Sequence, residues 1–289
     1  MVKVSTMGYL LVAPILLFFI AFSVYPLAFG LWISMRNAHL TQSLDLSQFT
    51  GISNYIEALT NPLFQKSLFI TFYFTAGAVV LELLLGLGLA LLVTNMERGI
   101  GAVQTVLVWP LMISPTVIAG IFRLMMDPSF GVFNYLLGSA GLSTLNWIYD
   151  ETLAVPSLIF VDVWQWTPFI FLVILAGLRS VPPNLIDSAN VDGAGYWQTF
   201  RAIVWPTLTP FIAVGLVFRL TDAIKEVDKV MNLTRGGPAF ASASLHFYSW
   251  WSALQVYDLG YGTAVAFIFL VIINIVMTVQ YRIMQRTLR

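Results

Sequence analysis

Residues 67–94 read SLFITFYFTAGAVVLELLLGLGLALLVT, an apolar stretch with a single charged side chain, Glu82. About 20 apolar residues carry an α-helix across a bilayer. Helices of soluble domains average about 11–12 residues, so this run reads as a membrane span. The whole chain agrees with it. Of 289 residues, 58% are hydrophobic and 10% charged, against roughly 25% charged in soluble domains. Mean hydropathy is +0.84. Such a chain cannot cover its surface with polar groups in water, whereas in lipid it has no need to.

Working outward, further apolar runs appear at 7–33, 103–124, 153–178 and 261–281, with a shorter one at 207–220 that polar residues extend to 232. Together they predict an all-α membrane protein with six transmembrane helices in a single domain over 1–289. The first run is far longer than the 7–15 apolar residues of a cleaved signal peptide, so it is expected to be retained. Polar segments separate the runs. Residues 35–65 hold an amphipathic stretch from Phe49 to Leu59. A tight turn spans Asn95 to Gly101, including Glu97. Residues 127–151 form a second loop, and 242–258 an aromatic amphipathic segment.

Lys3, Arg98, Arg179, Arg201, Arg282, Arg286 and Arg289 fall on one side of this topology, against Arg36 and Lys66 on the other, with Arg123 near an edge. Positive charge favours the cytoplasm, so both termini are predicted there. Net charge is zero and there is no cysteine, which disfavours a nucleic-acid surface, disulfides and thiolate metal sites. With only His39 and His246, no metal site and no catalytic residue is expected.

The cytoplasmic loop, 179–206, is the most informative polar segment. Asn184 reads as a helix cap with Asp187 at the third helical position. Gly193 permits a reversal, and Tyr196, Trp197, Phe200 and Ile203 recur at helical spacing. Two short helices at a turn are predicted. They suit docking to a partner, and equally an interfacial connector lying on lipid.

The same segment contains Asp187-Ser188-Ala189, Asp192-Gly193-Ala194, Phe200, Ile203 and Pro206. It resembles the cytoplasmic loop of binding-protein-dependent ABC importer permeases, whose pattern has Glu and Ala where this chain has Asp187 and Ser188. Phe49-x-Gly51-x-x-Asn54-Tyr55, Pro128-x-Phe130-Gly131-x-x-Asn134, Trp164-x-Trp166-Thr167-Pro168-Phe169, and Asp228 with Leu233-Thr234-x-Gly236-Gly237-Pro238 resemble the first permease of carbohydrate importers, the group that includes the maltose and glycerol-3-phosphate systems. The resemblance implies a type I ABC importer permease fold in the cell membrane. It also implies four kinds of partner: a second homologous permease, two ATP-binding subunits, an extracytoplasmic solute-binding protein and a sugar substrate. Asn184, Leu185, Asp187, Ser188, Ala189, Asp192, Gly193 and Ala194 would then form the helix that couples to the ATPases. The chain has no Gly-x-x-x-x-Gly-Lys-[Ser/Thr] phosphate loop. No cofactor is expected in it, and ATP and magnesium would belong to the partner subunits.

Charge within a span costs about 2.5–3.5 kcal/mol per residue on the translocon scale, so such groups face protein, water or a pathway. Glu82 reads as an interhelical partner, on a helix with Gly86 and Ala90 at small-xxx-small spacing. In the fourth span, Asp162 and Gln165 with Trp164 and Trp166 combine amides and aromatics that suit a sugar, or that simply pack. The densest cluster is Asp222, Lys225, Glu226, Asp228, Lys229 and Asn232. Pairing at three residues, Asp222 with Lys225 or Glu226 with Lys229, would neutralise it internally. Alternatively it lines a water-filled pathway for substrate. Pro110 and Pro115 interrupt the third span. The competing functions are a secondary transporter driven by an ion gradient through these acids, for which no inverted repeat is visible, and an intramembrane enzyme, for which the motifs are absent.

Overall fold

The structure, a computed structural model, describes residues 6–40, 48–94, 96 and 98–287. Lys3, Asn95, Glu97 and Arg289 lie outside the described residues. Among those described, the secondary structure is helical apart from two isolated bridges. In order, the helices are α1 (Thr6–Phe19), α2 (Tyr25–Ser34), α3 (Ser53–Thr60), α4 (Pro62–Thr94), α5 (Ile100–Val108), α6 (Pro115–Met125) and α7 (Val132–Ser139). They continue with α8 (Ala154–Arg179), α9 (Pro183–Val191), α10 (Tyr196–Thr199), α11 (Trp205–Ala223), α12 (Leu245–Leu254) and α13 (Leu259–Thr287). Among the described residues, five helical stretches are long and apolar enough to cross a membrane, or six if one bent pair counts as a span.

Two of the expected spans differ from the helices observed. The third, 103–124, is not one rod: residues 100–112 and 115–125 meet at 96°. Pro110 and Pro115 cannot donate the backbone hydrogen bonds that would carry a helix through this point, and Ile113 and Ser114 take extended ψ values of 135° and 138°. The fifth, 207–232, is displaced toward the N-terminus. Its helix runs from Tyr196 to Ala223, taking in residues that the sequence assigns to the loop 179–206, and α11 ends before the charged cluster.

Two prolines that look like breaks are absorbed by wide turns. Ile20–Val24 and Phe200–Val204 are π turns, closed by Tyr25 N–H on Ile20 O and Trp205 N–H on Phe200 O. In each the closing N–H belongs to the residue before a proline, Pro26 or Pro206, so helix continues although proline brings no N–H.

The chain divides into two compact units. The first comprises Met1–Phe64 and Tyr248–Leu270. There Asn54 Nδ2 donates to the carbonyls of Ser34 and Arg36, at 2.9 Å each, and the Leu259 and Gly260 amides donate to Ala38 O. The motif of 49–55 is thus a knot that ties the end of α2 to α3.

The second unit comprises Gln65–Phe247 and Val271–Arg289. Its centre is α4 against α8 and α8 against α11, with Ala90, Val93, Ile170, Phe171, Ile174, Leu175, Leu178 and Leu208 buried together. Gly86 makes the α4–α8 approach possible: a β-carbon there would stand 2.7 Å from Ile170 Cγ2 and 3.0 Å from the Phe171 nitrogen. In the loop after α6, Asn134 Oδ1 accepts from Leu145 N–H and Trp147 Nε1, both at 3.0 Å, while its Nδ2 donates to Leu145 O.

Candidate functional site

Three helices of the second unit each bring a charge to one buried point. Glu82 comes from α4, Asp162 from α8 and Arg219 from α11, and all three are shielded from solvent. Arg219 Nε donates to Glu82 Oε2 at 2.6 Å and its Nη2 to Glu82 Oε1 at 2.9 Å, a two-pronged contact. Nη2 also meets Asp162 Oδ2, and Nη1 reaches Asp222 Oδ2 at 3.1 Å. The Trp166 ring covers the guanidinium, 4.9 Å from centroid to Cζ. A planar fork with three nitrogens can serve three carboxylates at once, which a lysine cannot.

The segment after α11 folds back onto this point. Lys229, fully buried, donates from Nζ to Asp162 Oδ1 at 2.7 Å and to Glu226 Oε2 at 2.9 Å. Glu226 also accepts the Lys229 N–H. Arg123, from the end of α6, lies 3.3 Å from the carbonyls of Asn232 and Leu233. Both carbonyls belong to a π turn, Val230–Thr234, closed by Arg235 N–H on Val230 O, with Arg235 at φ 56°. Ser244 Oγ donates to Glu226 O.

Of the expected pathway residues, Glu226 and Lys229 join this cluster, and Asp222 joins its rim with a side chain 50% exposed. The expected pairing of Lys229 with Glu226 is present. Asp222 pairs with Arg219 instead of Lys225, one turn back on the same helix. Lys225 is exposed, and its carbonyl sits 2.8 Å from His246 Nδ1. Asp228 is exposed as well, its carbonyl accepting from Asn232 Nδ2 at 2.7 Å.

The fourth-span group divides by face. Trp164 packs edge-on against Phe122, beside a groove of about 1130 Å³ that also takes in Tyr73, Trp109, Ile113, Phe160 and Thr167. Trp166 faces Arg219. Gln165, 1% exposed, donates from Nε2 to Ile113 O at 3.0 Å, at the bend between the two halves of the third span. Its Oε1 has no partner, and neither do Trp166 Nε1 and Thr167 Oγ1, all three buried atoms.

Arg219 is the centre of the cluster, and the sequence reading passes over it as part of an apolar run. Two signals could have found it: an arginine deep in a hydrophobic segment needs an acid, and Asp222 stands three residues on.

The loop 179–206 forms the two predicted helices, with one correction. Pro182 is the N-cap and Pro183 the first helical residue. Asn184 is therefore inside the helix and caps nothing, and Asp187 sits at the fifth position instead of the third. Proline takes the opening place because its fixed φ and missing N–H suit it. The other end shows why Asp192-Gly193-Ala194 follows Ala189. Ala194 N–H donates to Ala189 O at 2.9 Å and Gly193 N–H to Asn190 O at 3.1 Å, with Gly193 at φ +75°. This is a Schellman closure, which needs a left-handed residue at that point. Leu185, Asp187, Ser188 and Val191 point outward, Val191 being 88% exposed.

The chain belongs to the family described as the inner membrane component of binding-protein-dependent transport systems, matched over residues 84–289. It is 31% identical over 269 residues to the trehalose/maltose transport permease MalF of Thermococcus litoralis, covering 93% of this chain and 90% of that one. It is 29% identical over 293 residues to the sn-glycerol-3-phosphate permease UgpA of Yersinia pestis, covering 99% and 96%. Among solved structures, it superposes on a chain of a bacterial ABC transporter that imports the acidic polysaccharide alginate. The TM-score is 0.82 at 24% identity, over 97% of this chain and 95% of that one. The fold is therefore that of an ABC importer permease.

Proposed function

We propose that this chain is one of two homologous permeases in an ATP-driven importer of a sugar or sugar derivative, with both termini in the cytoplasm. A second permease completes the passage. Two ATP-binding subunits bind ATP and magnesium beneath it, and a solute-binding protein delivers cargo from outside.

The observation that carries the coupling role is the form of 183–194. A helix of nine residues stands out of the bundle, closed by its own hydrogen bonds, with Leu185, Asp187 and Val191 turned away from the protein. A short, self-terminated helix moves as a unit when gripped, so closure of the ATPases would be passed on to α8 and α11, which flank it. Asp187 offers a charge to basic groups of the partner. On the transport side, Trp166, Glu226, Lys229 and the rim residue Asp222 gather at Arg219, Trp164 lines the groove, and Gln165, Lys225, Asp228 and Asn232 complete the set of polar groups proposed to meet substrate along the passage. Sugars present both kinds of surface.

Reconstitution tests this. Substrate-stimulated ATP hydrolysis and uptake should require the co-produced partners, and cysteines placed at Asp187 or Val191 should crosslink to an ATPase. Uptake by this chain alone in ATP-free vesicles would assign it to ion-gradient transport instead.

A further inference from the structure

We propose that α3 lies on the membrane surface, with Phe49, Ile52 and Ile56 seated between the headgroups and acyl chains of lipid that carries no net charge.

The height of α3 follows from what holds it. The first span, Leu11–Ser34, stops at Ser34, and the last, Leu259–Gln285, starts at Leu259. Both ends are tied to one place. The Leu259 and Gly260 amides donate to Ala38 O at 2.9 and 3.1 Å, and Leu40 N–H donates to Tyr257 O at 2.9 Å. Two helices that each cross the hydrocarbon bring their joined ends out at its edge. Trp32 and Tyr257, both exposed, stand at these two ends, and such rings gather at membrane interfaces. Arg36 lies over the Trp32 ring, 4.0 Å from its centroid. α3 is fastened to the same place. Besides the two bonds from Asn54, Tyr55 OH meets Ser34 Oγ at 2.6 Å and Thr50 N–H donates to Met35 O at 2.9 Å. The helix therefore sits level with the edge of the bilayer.

Its sequence suits that height. With 3.6 residues per turn, the segment divides three ways. Asn54, Tyr55 and Ala58 turn toward the protein. Ser53, Glu57 and Thr60 form an exposed polar strip. Ile52, at the N-cap, and Ile56 form an apolar strip, 64% and 56% exposed, and Phe49 just before them is 68% exposed. Bulk water disfavours the apolar strip, and the hydrocarbon interior disfavours Glu57. Only at a boundary do the protein, lipid and water sides all find their medium.

Charge selects the kind of lipid. Between Gln48 and Thr60 there is no lysine or arginine, and the one charged side chain is Glu57. Nothing there attracts an anionic headgroup, so the apolar side chains alone hold the helix down. A docking protein would find neither a charge nor a hydrogen bond on Phe49, Ile52 and Ile56 to set its register. Seated in this way, α3 fixes the height of the joined ends of α2 and α13.

The chain has no cysteine, so single nitroxide labels can be attached through Ile52→Cys, Ser53→Cys, Ile56→Cys and Glu57→Cys. All four side chains are exposed, so these changes leave the packing alone. The full chain with its co-produced partners is placed in phosphatidylcholine nanodiscs. Depth is read from relaxation by oxygen, which favours lipid, against a nickel chelate, which stays in water. Labels at 52 and 56 should lie about 5–10 Å below the headgroup surface, with those at 53 and 57 above them and open to nickel. Replacing part of the lipid with phosphatidylglycerol should leave the depths unchanged. Nickel access at all four positions overturns the proposal, and so does shielding of 52 and 56 from both reagents, which would mean protein cover. Loss of nickel access at 52 and 56 only when the solute-binding protein is added overturns it in favour of a docking face. Insertion that appears only with phosphatidylglycerol overturns the choice of lipid.

Discussion

Replacing Arg219 with methionine removes the side chain on α11 that pairs with Glu82 of α4, Asp162 of α8 and Asp222 at the rim. Methionine fills similar volume, so the loss is chiefly electrostatic. Asp162 keeps Lys229 at 2.7 Å and Asp222 is half exposed, so both retain compensation. Glu82 loses its bonds at 2.6 and 2.9 Å and no other cation reaches it among the ion pairs described. Breaking a buried pair from one side costs about 3–5 kcal/mol, a large share of a total stability of about 5–15 kcal/mol. The assay is reversible unfolding of the purified chain in mixed micelles. Removing the orphan as well, in Glu82→Gln with Arg219→Met, should recover more than half of the loss, because an uncharged pair no longer carries the desolvation burden. Arg219→Lys should fall between, since one ammonium cannot serve three carboxylates. A loss below about 1 kcal/mol for Arg219→Met, or no recovery in the double variant, would refute the account of a buried network held by desolvated charge.

Gly86→Val places a β-carbon on Ile170 and the Phe171 backbone; overpacking of this kind costs about 1–3 kcal/mol, read as a lower unfolding midpoint in the same micelles. Gly193→Val forces a branched residue into φ +75°, at about 1–2 kcal/mol. It should uncouple ATP hydrolysis from substrate in the assembled importer while leaving the bundle's melting almost unchanged. Asn134→Ala removes the side chain that holds Leu145 and Trp147, so proteolysis between residues 128 and 146 should accelerate, with the helices themselves intact.

The spans are legible because lipid demands long apolar runs, although the third is bent and the helix of the fifth begins well before its apolar run. What composition cannot carry is how a helix negotiates proline. Pro206 and Pro110 look alike on the page, yet one is absorbed by a π turn and the other helps to end a helix. The difference lies in backbone hydrogen bonds that reach five residues back. The helix cap at Asn184 is misplaced for a related reason, since Pro182-Pro183 starts the helix two residues sooner. Within the cluster, Lys229 and Glu226 are found through their spacing along one helical turn. Their tie to Asp162 spans 67 residues of chain and has no local signature. Arg219 escapes because its neighbours are so apolar that the window around it reads as pure span.

The helix from Tyr196 to Ala223 carries exposed aromatic rings at one end and Arg219 near the other. At about 1.5 Å per residue these stations are separated by roughly the thickness of a bilayer's hydrocarbon layer. The rod between them holds one surplus residue, in the turn Phe200–Val204. Deleting Ile203 would restore an ordinary helical pitch and swing the ring-bearing end by about 100° relative to the guanidinium. The bearing of the two ends on each other is thus fixed by a single added amino acid, and a shaft cut one residue shorter would present the wrong side to whatever turns it.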